Sequence, residues 1–128
     1  MIENPLTAII TVKKSKFIAQ AFKMTSAAEA SELIKKIKKA NRKASHNVYA
    51  YIVVEVGQII KRYSDDQEPP GTAGRPLLFL LEQKNLENVL VVVTRYFGGA
   101  LLGKGGLIRP YTKAAKTALI LLEDNISK

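Results

Sequence analysis

The chain has 128 residues, a formal net charge of +9 and 47% apolar residues, which fits one globular domain able to bury about two-thirds of its unfolded surface. It contains no cysteine, so disulfides, thiolate zinc sites and cysteine nucleophiles are excluded. No apolar run reaches the roughly 20 residues that span a bilayer, and the opening stretch MIENPLTAIITVKKSK has neither a basic segment ahead of an apolar one nor a small-residue cleavage site; the chain reads as mature, cytoplasmic and without a membrane partner.

Residues 6–12 (LTAIITV) and 17–22 (FIAQAF) are rich in β-branched and aromatic side chains and are joined by the polar link Lys13–Lys16, which predicts a hairpin. Ser26-Ala27-Ala28-Glu29 is a capping-box pattern, with a serine to accept from the third helical N–H and a glutamate to reach back. Behind it Ala30, Leu33, Ile34 and Ile37 recur at the helical period. Glu32 precedes Lys36 by one turn, and Lys38 and Lys39 suit the negative end of a helix closing near Asn41. Asn47–Val54 and Gln58–Tyr63 predict two strands with a turn at Val56-Gly57.

The texture then changes. Ser64–Gly74 (SDDQEPPGTAG) is acidic and rich in Pro and Gly, hence a loop. A short helix follows, with Pro76 in its first turn and Leu77, Leu78, Leu80 and Leu81 mostly buried. Asn88–Thr94 (NVLVVVT) is almost continuously apolar, the mark of a strand covered on both faces. Arg95–Gly106 (RYFGGALLGKGG) is a second loop, and a last helix is predicted from about Leu107 to Leu122, with its stripe at Leu107, Tyr111, Ala114, Ala118 and Leu122. The order ββ-α-ββ-α-β-α implies an α+β domain, a mostly antiparallel sheet with helices packed on one side.

Both glycine-rich loops precede a helix, whose N-terminus carries about half a positive charge. Gly71, Thr72 and Gly74 in the first, and Gly98, Gly99, Gly103, Gly105 and Gly106 in the second, could let backbone N–H groups cradle a phosphate. Arg75, Arg95, Lys104 and Arg109 would add side-chain charge for that anion or for nucleic acid. Neither loop fits a P-loop or dinucleotide fingerprint. The plainer alternative is that the glycines permit tight turns and close packing.

The run Lys35, Lys36, Lys38, Lys39, Arg42 and Lys43 is a candidate surface for a phosphate backbone, or simply a solvated helix face. Tyr49, Tyr51, Tyr63 and Tyr96 could stack on bases, or pack within the sheet. Asp65, Asp66 and Glu68 could in principle hold Mg²⁺; the expectation is instead that Asp66 or Glu68 pairs with Arg75, Arg95 or Arg109 and ties the loops together. His46, the one histidine, lies near Ser45, Ser64 and the Asp65-Asp66 pair in sequence, but no nucleophile elbow accompanies it, so it is expected to be a hydrogen-bonded structural residue. Neither metal nor cofactor is expected.

Asp66-Gln67-Glu68-Pro69-Pro70-Gly71-Thr72-Ala73-Gly74-Arg75-Pro76 resembles the signature D-x-E-P-x-G-T-A-G-R-P of the Impact N-terminal / YigZ family. Arg95-Tyr96-Phe97-Gly98-Gly99 with Leu102-Gly103-Lys104-Gly105-Gly106-Leu107-Ile108-Arg109 resembles its second signature, R-Y-F-G-G-x-x-L-G-x-G-G-L-x-R. Lys14-Ser15-Lys16-Phe17-Ile18-Ala19 and His46 with Tyr49-Ala50-Tyr51 resemble its K-x-S-x-F-I/L-A and H-x-x-Y-A-Y. The resemblance implies a fold like the second domain of a small-subunit ribosomal protein and a role in translation control without catalysis. The implied partner is RNA, the ribosome or a regulatory protein. The alternative is an enzyme or sensor for a small phosphorylated ligand held at the two loops. Bacterial members of the family usually carry a second, ferredoxin-like domain, and this chain ends before one could begin, so residues 1–128 are expected to be one domain without it. Pro110 departs from the family's usual helix former and places the last helix's start near Leu107 or later.

Overall fold

The computed structural model describes residues 6–126; the first five residues, on which part of the argument against a leader rests, lie outside it. The elements are β1 (Leu6–Val12), β2 (Ser15–Lys23), α1 (Ala27–Ala40), β3 (His46–Glu55), β4 (Gln58–Ser64), α2 (Gly74–Gln83), β5 (Val89–Tyr96), a single 3₁₀ turn (Lys104–Gly106) and α3 (Ile108–Ile126). The five strands form one sheet in the order β1-β2-β5-β3-β4, antiparallel at every pairing. The α+β class and element order are as the sequence predicts.

Both hairpins close on two residues. The central pairs, Lys13-Lys14 and Val56-Gly57, all have positive φ, the geometry that matches strand twist. The first link is therefore shorter than Lys13–Lys16, because Ser15 and Lys16 already pair within β2. Two lysines hold a turn that Asn-Gly would adopt with less strain.

β5 is the central strand, between β2 and β3, which accounts for its continuous apolar run. Val89, Val91 and Val93 face the larger core with Phe17, Ala19, Ala21, Val48 and Ala50, beneath Leu77 and Leu81 of α2 and Ala114, Ala118 and Leu119 of α3. Leu90 and Val92 face the other way, toward Phe22, Met24, Val53 and the stripe Ala30, Ile34 and Ile37 of α1. The helices therefore do not share one side of the sheet. α1 covers the face opposite α2 and α3, because a central strand apolar on both faces needs cover on both.

The helix boundaries follow their chemistry. Ser26 Oγ accepts from Glu29 N–H at 3.0 Å, while Glu29 reaches back to Thr25 N–H at 2.7 Å, one residue earlier than the predicted reciprocal bond. Pro110 is third in α3, where its missing N–H has no intrahelical partner to lose. α3 continues to Ile126, past the predicted end at Leu122.

Candidate functional site

The two signature segments are the connections β4–α2 and β5–α3, and they meet at one end of the sheet. In the first, Asp65 sits where a bound anion was expected. Its Oδ1 accepts from Ala73 N–H at 3.1 Å and Gly74 N–H at 2.7 Å, and its Oδ2 from Gly71 N–H at 3.0 Å. Thr72 donates its N–H and hydroxyl to Pro69 O. The chain's own carboxylate thus caps α2 and complements its dipole, and Gly71, Thr72 and Gly74 spend their donors internally. Asp65→Ala is expected to lower stability by about 2 kcal/mol, the upper end for a helix cap, measured by urea denaturation.

The loops are tied together by a buried ion pair. Glu68 Oε2 accepts from Arg95 Nη1 at 2.8 Å, and the two side chains are only 4% and 6% exposed. The same oxygen accepts a short hydrogen bond from the Tyr111 hydroxyl of α3. Arg95 Nη2 donates to Ser15 Oγ at 3.3 Å, and the guanidinium lies between the rings of Phe17 and Phe97, 5.4 and 5.7 Å from their centroids. The expectation that an acidic residue of one loop pairs with an arginine of the other is met by Glu68 and Arg95. That pairing commits the Arg95 charge to an internal carboxylate.

Tyr111 is fully buried. Burial, and then the hydrogen bond and negative charge of Glu68, push its ionisation well above the ordinary tyrosine value of 10.0. A folded-state value above the unfolded one contributes stability below pH 10 that is lost as pH rises further. The chain is therefore expected to lose stability above pH 10, measured by denaturation at increasing pH, and Tyr111→Phe to flatten that alkaline slope.

His46 Nδ1 donates to Asp66 O at 2.8 Å, since a carbonyl can only accept, and Nε2 lies 3.4 Å from Glu68 Oε1. Among the described residues no serine hydroxyl bonds the imidazole; Ser45 Oγ accepts from Phe97 N–H and Ser64 Oγ from Asp66 N–H. The hydrogen bonding expected of the histidine is present. Asp66 accepts from Asn47 N–H at 2.6 Å and lies 3.8 Å from Lys38. Asp65, Asp66 and Glu68 thus go to separate partners, and among the described residues no three His, Asp or Glu side chains are grouped to hold a metal ion.

The second loop is built around Gly98. A Cβ there would stand 2.1 Å from the Lys14 carbonyl carbon, so the loop lies directly against the β1–β2 turn. Gly99 and Gly103 take positive φ, and Gly105 and Gly106 belong to the 3₁₀ turn. A cavity of about 380 Å³ opens between this loop and the ion pair, lined by Ser45, His46, Pro69, Phe97, Leu101 and Lys104 among others. Arg75, Lys104 and Arg109 are exposed. Lys104 lines this cavity together with Arg95 and Glu68, while Arg109 borders a groove between α2 and α3.

Cations also collect at this end, on the α1 side. Lys39, Arg42 and Lys43 surround Tyr96, whose hydroxyl donates to Asn41 Oδ1 at 2.7 Å. Lys16 pairs with Tyr96 across β2 and β5, and Lys14 is in the adjoining turn. All five cations are exposed, and among the described residues none has a carboxylate partner. Lys35 and Lys36 continue the exposed face of α1, Lys35 loosely paired with Glu32 at 4.0 Å.

Residues 13–119 match the Impact N-terminal domain. The chain belongs to this family. It is 46% identical over 110 residues to the IMPACT family member YvyE of Bacillus subtilis, covering 86% of this chain and 50% of that protein. It superposes on the crystal structure of an hypothetical protein with TM-score 0.81 at 33% identity, over 90% of this chain and 56% of that one. It also superposes on the two-domain translational regulator Yih1 with TM-score 0.60 at 28% identity, over 94% and 47%. The chain spans about half the length of the curated relatives it matches. Glu68, Arg95 and Ser15 of the buried network fall within the motif segments of the sequence, while Tyr111 lies two residues beyond the second.

Three residues that shape this end of the sheet, two of them in the buried network, went unrecognised in the sequence. Tyr111 reads as one more position of an apolar stripe, although a buried phenol needs a hydrogen-bond partner. Ser15, inside a quoted motif, gave no sign that its hydroxyl meets Arg95. Asp65 is indistinguishable by composition from Asp66, yet it alone caps α2.

Proposed function

We propose that this is a non-catalytic, translation-linked binding domain that contacts ribosomal RNA through the basic end of its sheet. The observation that carries this reading is the cluster of Lys39, Arg42 and Lys43 around Tyr96, with Lys16 paired to Tyr96 in the sheet and Lys14 in the adjoining turn, all exposed and without carboxylate partners among the described residues. Such charges gain affinity by releasing counterions from a phosphate backbone. Similarity to the translational regulator Yih1 supports the link to translation. The glycine-rich loops act here as a scaffold: Gly98 brings the second loop against Lys14, and Asp65 and Glu68 hold the first in place. The Asp65 contacts take up the backbone donors of the first loop that a small phosphorylated ligand would need, which favours the RNA reading over a metabolite site.

The test is a fluorescence-anisotropy titration with labelled small-subunit ribosomal RNA over a series of salt concentrations. Binding is expected at low salt and should fall steeply as salt rises. Reversing Lys39, Arg42 and Lys43 to glutamate should flatten the log–log salt slope by about 2, at about 0.7 per single-strand phosphate lost. No retention of RNA at low salt would overturn the proposal.

A further inference from the structure

A second surface lies apart from the basic end. α2 and α3 start at the same end of the sheet and run in the same direction, joined near their other ends by Lys84 and Glu123 at 2.9 Å. Between them is an open groove of about 520 Å³. Its floor and one wall come from Pro76, Phe79 and Leu80 of α2 and Ile108 of α3. Phe79 is 56% and Ile108 44% exposed, although both sit on helices whose other faces are fully buried. The opposite wall carries Arg109, Lys113 and Lys116 at helical spacing, all exposed and without a carboxylate partner among the described residues. Glu82 and Glu123, acidic residues of the same helices, pair with Lys61 and Lys84 instead.

We propose that this groove receives an acidic amphipathic helix of a partner protein, a second interaction surface beyond the RNA contact. The groove runs from Pro76 to Gln83 along α2, about 10 Å at 1.5 Å per residue. That length accepts two apolar anchors one turn apart, set beside Phe79 and Ile108 in the helix-in-groove mode. The cationic wall then selects carboxylates along one flank of the incoming helix. Nucleic acid fits less well, since phosphates would meet the lysines and leave the apolar floor unfilled. The Thr112 hydroxyl is already spent on Ile108 O at 2.9 Å.

The experiment uses a labelled helical peptide with leucines at i and i+4 and glutamates along one flank. A charge-reversed peptide with lysines in place of the glutamates and a scrambled peptide are the controls. Binding is read by anisotropy and by amide chemical shifts of the ¹⁵N-labelled chain. The acidic peptide is expected to bind with Kd below about 1 mM and to shift the amides of Phe79, Ile108 and Lys113. Phe79→Ser should abolish binding. Lys113→Glu combined with Lys116→Glu should weaken the acidic peptide about tenfold and improve the charge-reversed one, a swap that electrostatic selection requires and unfolding cannot mimic. These side chains are exposed, and circular dichroism verifies that the variants fold. The proposal is overturned if the acidic peptide does not bind, binds no better than its controls, or is indifferent to these substitutions. It is equally overturned if sedimentation shows a dimer that Phe79→Ser dissolves, which would give the groove to a second copy. Ribosomal RNA binding is measured on the same variants; its loss with Phe79→Ser would show that the groove serves nucleic acid instead. Failure of the basic-end reading leaves these peptide results untouched.

Discussion

Glu68→Ala is expected to destabilise the domain by about 3 to 5 kcal/mol, the cost of stranding one partner of a buried ion pair. Arg95 is 5% exposed, its Nε already lacks a partner, and without Glu68 its charge would keep only the Ser15 hydroxyl and the faces of Phe17 and Phe97. Tyr111 would lose its acceptor at the same time, adding a buried unsatisfied hydroxyl. Urea denaturation measures the loss as a lower midpoint. Glu68→Leu combined with Arg95→Met should recover most of it, because removing both charges also removes their desolvation penalty. Adding Tyr111→Phe to that pair should recover more, since no phenol then lacks an acceptor. A Glu68→Ala variant within about 1 kcal/mol of the parent, the range of an exposed pair, would show that the ion pair does not hold the loops together.

The fold was largely legible because local signals agreed with one another. The β-branched and aromatic richness of 6–12 and 17–22, the capping box at Ser26 and the apolar run of β5 each named an element correctly. The placement of α1 was also implicit: a strand such as Asn88–Thr94 with no polar face cannot sit in a sheet covered on one side. The end of the sheet was less legible. The signatures showed that Asp66, Glu68 and Arg95 matter, but not which way each points. For Arg95 the register held the answer, since it shares the face of Val89, Val91 and Val93 and so enters the larger core. An arginine at that position needs a buried acid, and Glu68 is brought there by a loop whose path depends on Asp65, Asn47 and two consecutive positive-φ residues, Asp66 and Gln67. Such a path is set by tertiary contacts that no window of sequence contains. The same holds for Arg75 and Arg109. Their motif neighbours converge, while they project from the first turns of two different helices.

Gly98→Ala is expected to cost about 3 kcal/mol, the upper end of overpacking, because the added methyl would stand 2.1 Å from the Lys14 carbonyl carbon and 2.5 Å from Ser15 N. Those are backbone atoms of a two-residue turn and cannot give way as a side-chain end can. Relief requires the second loop to lift from the β1–β2 turn, which would break the Gly98 N–H bond to Ser15 Oγ at 3.2 Å and disturb the hydroxyl that Arg95 uses. Gly105→Ala is the matched control in the same loop. A Cβ there meets nothing within 4 Å, so its cost should stay within about 0.5 kcal/mol, as for ordinary surface changes. Thermal and urea denaturation of the two variants separate a loop that needs glycine for close backbone approach from one that needs it for flexibility. Equal losses at both positions would favour flexibility. A large loss at Gly98 alone, with RNA affinity reduced in proportion to the loosened Lys14 turn, would tie the glycine signature to the shape of the basic end.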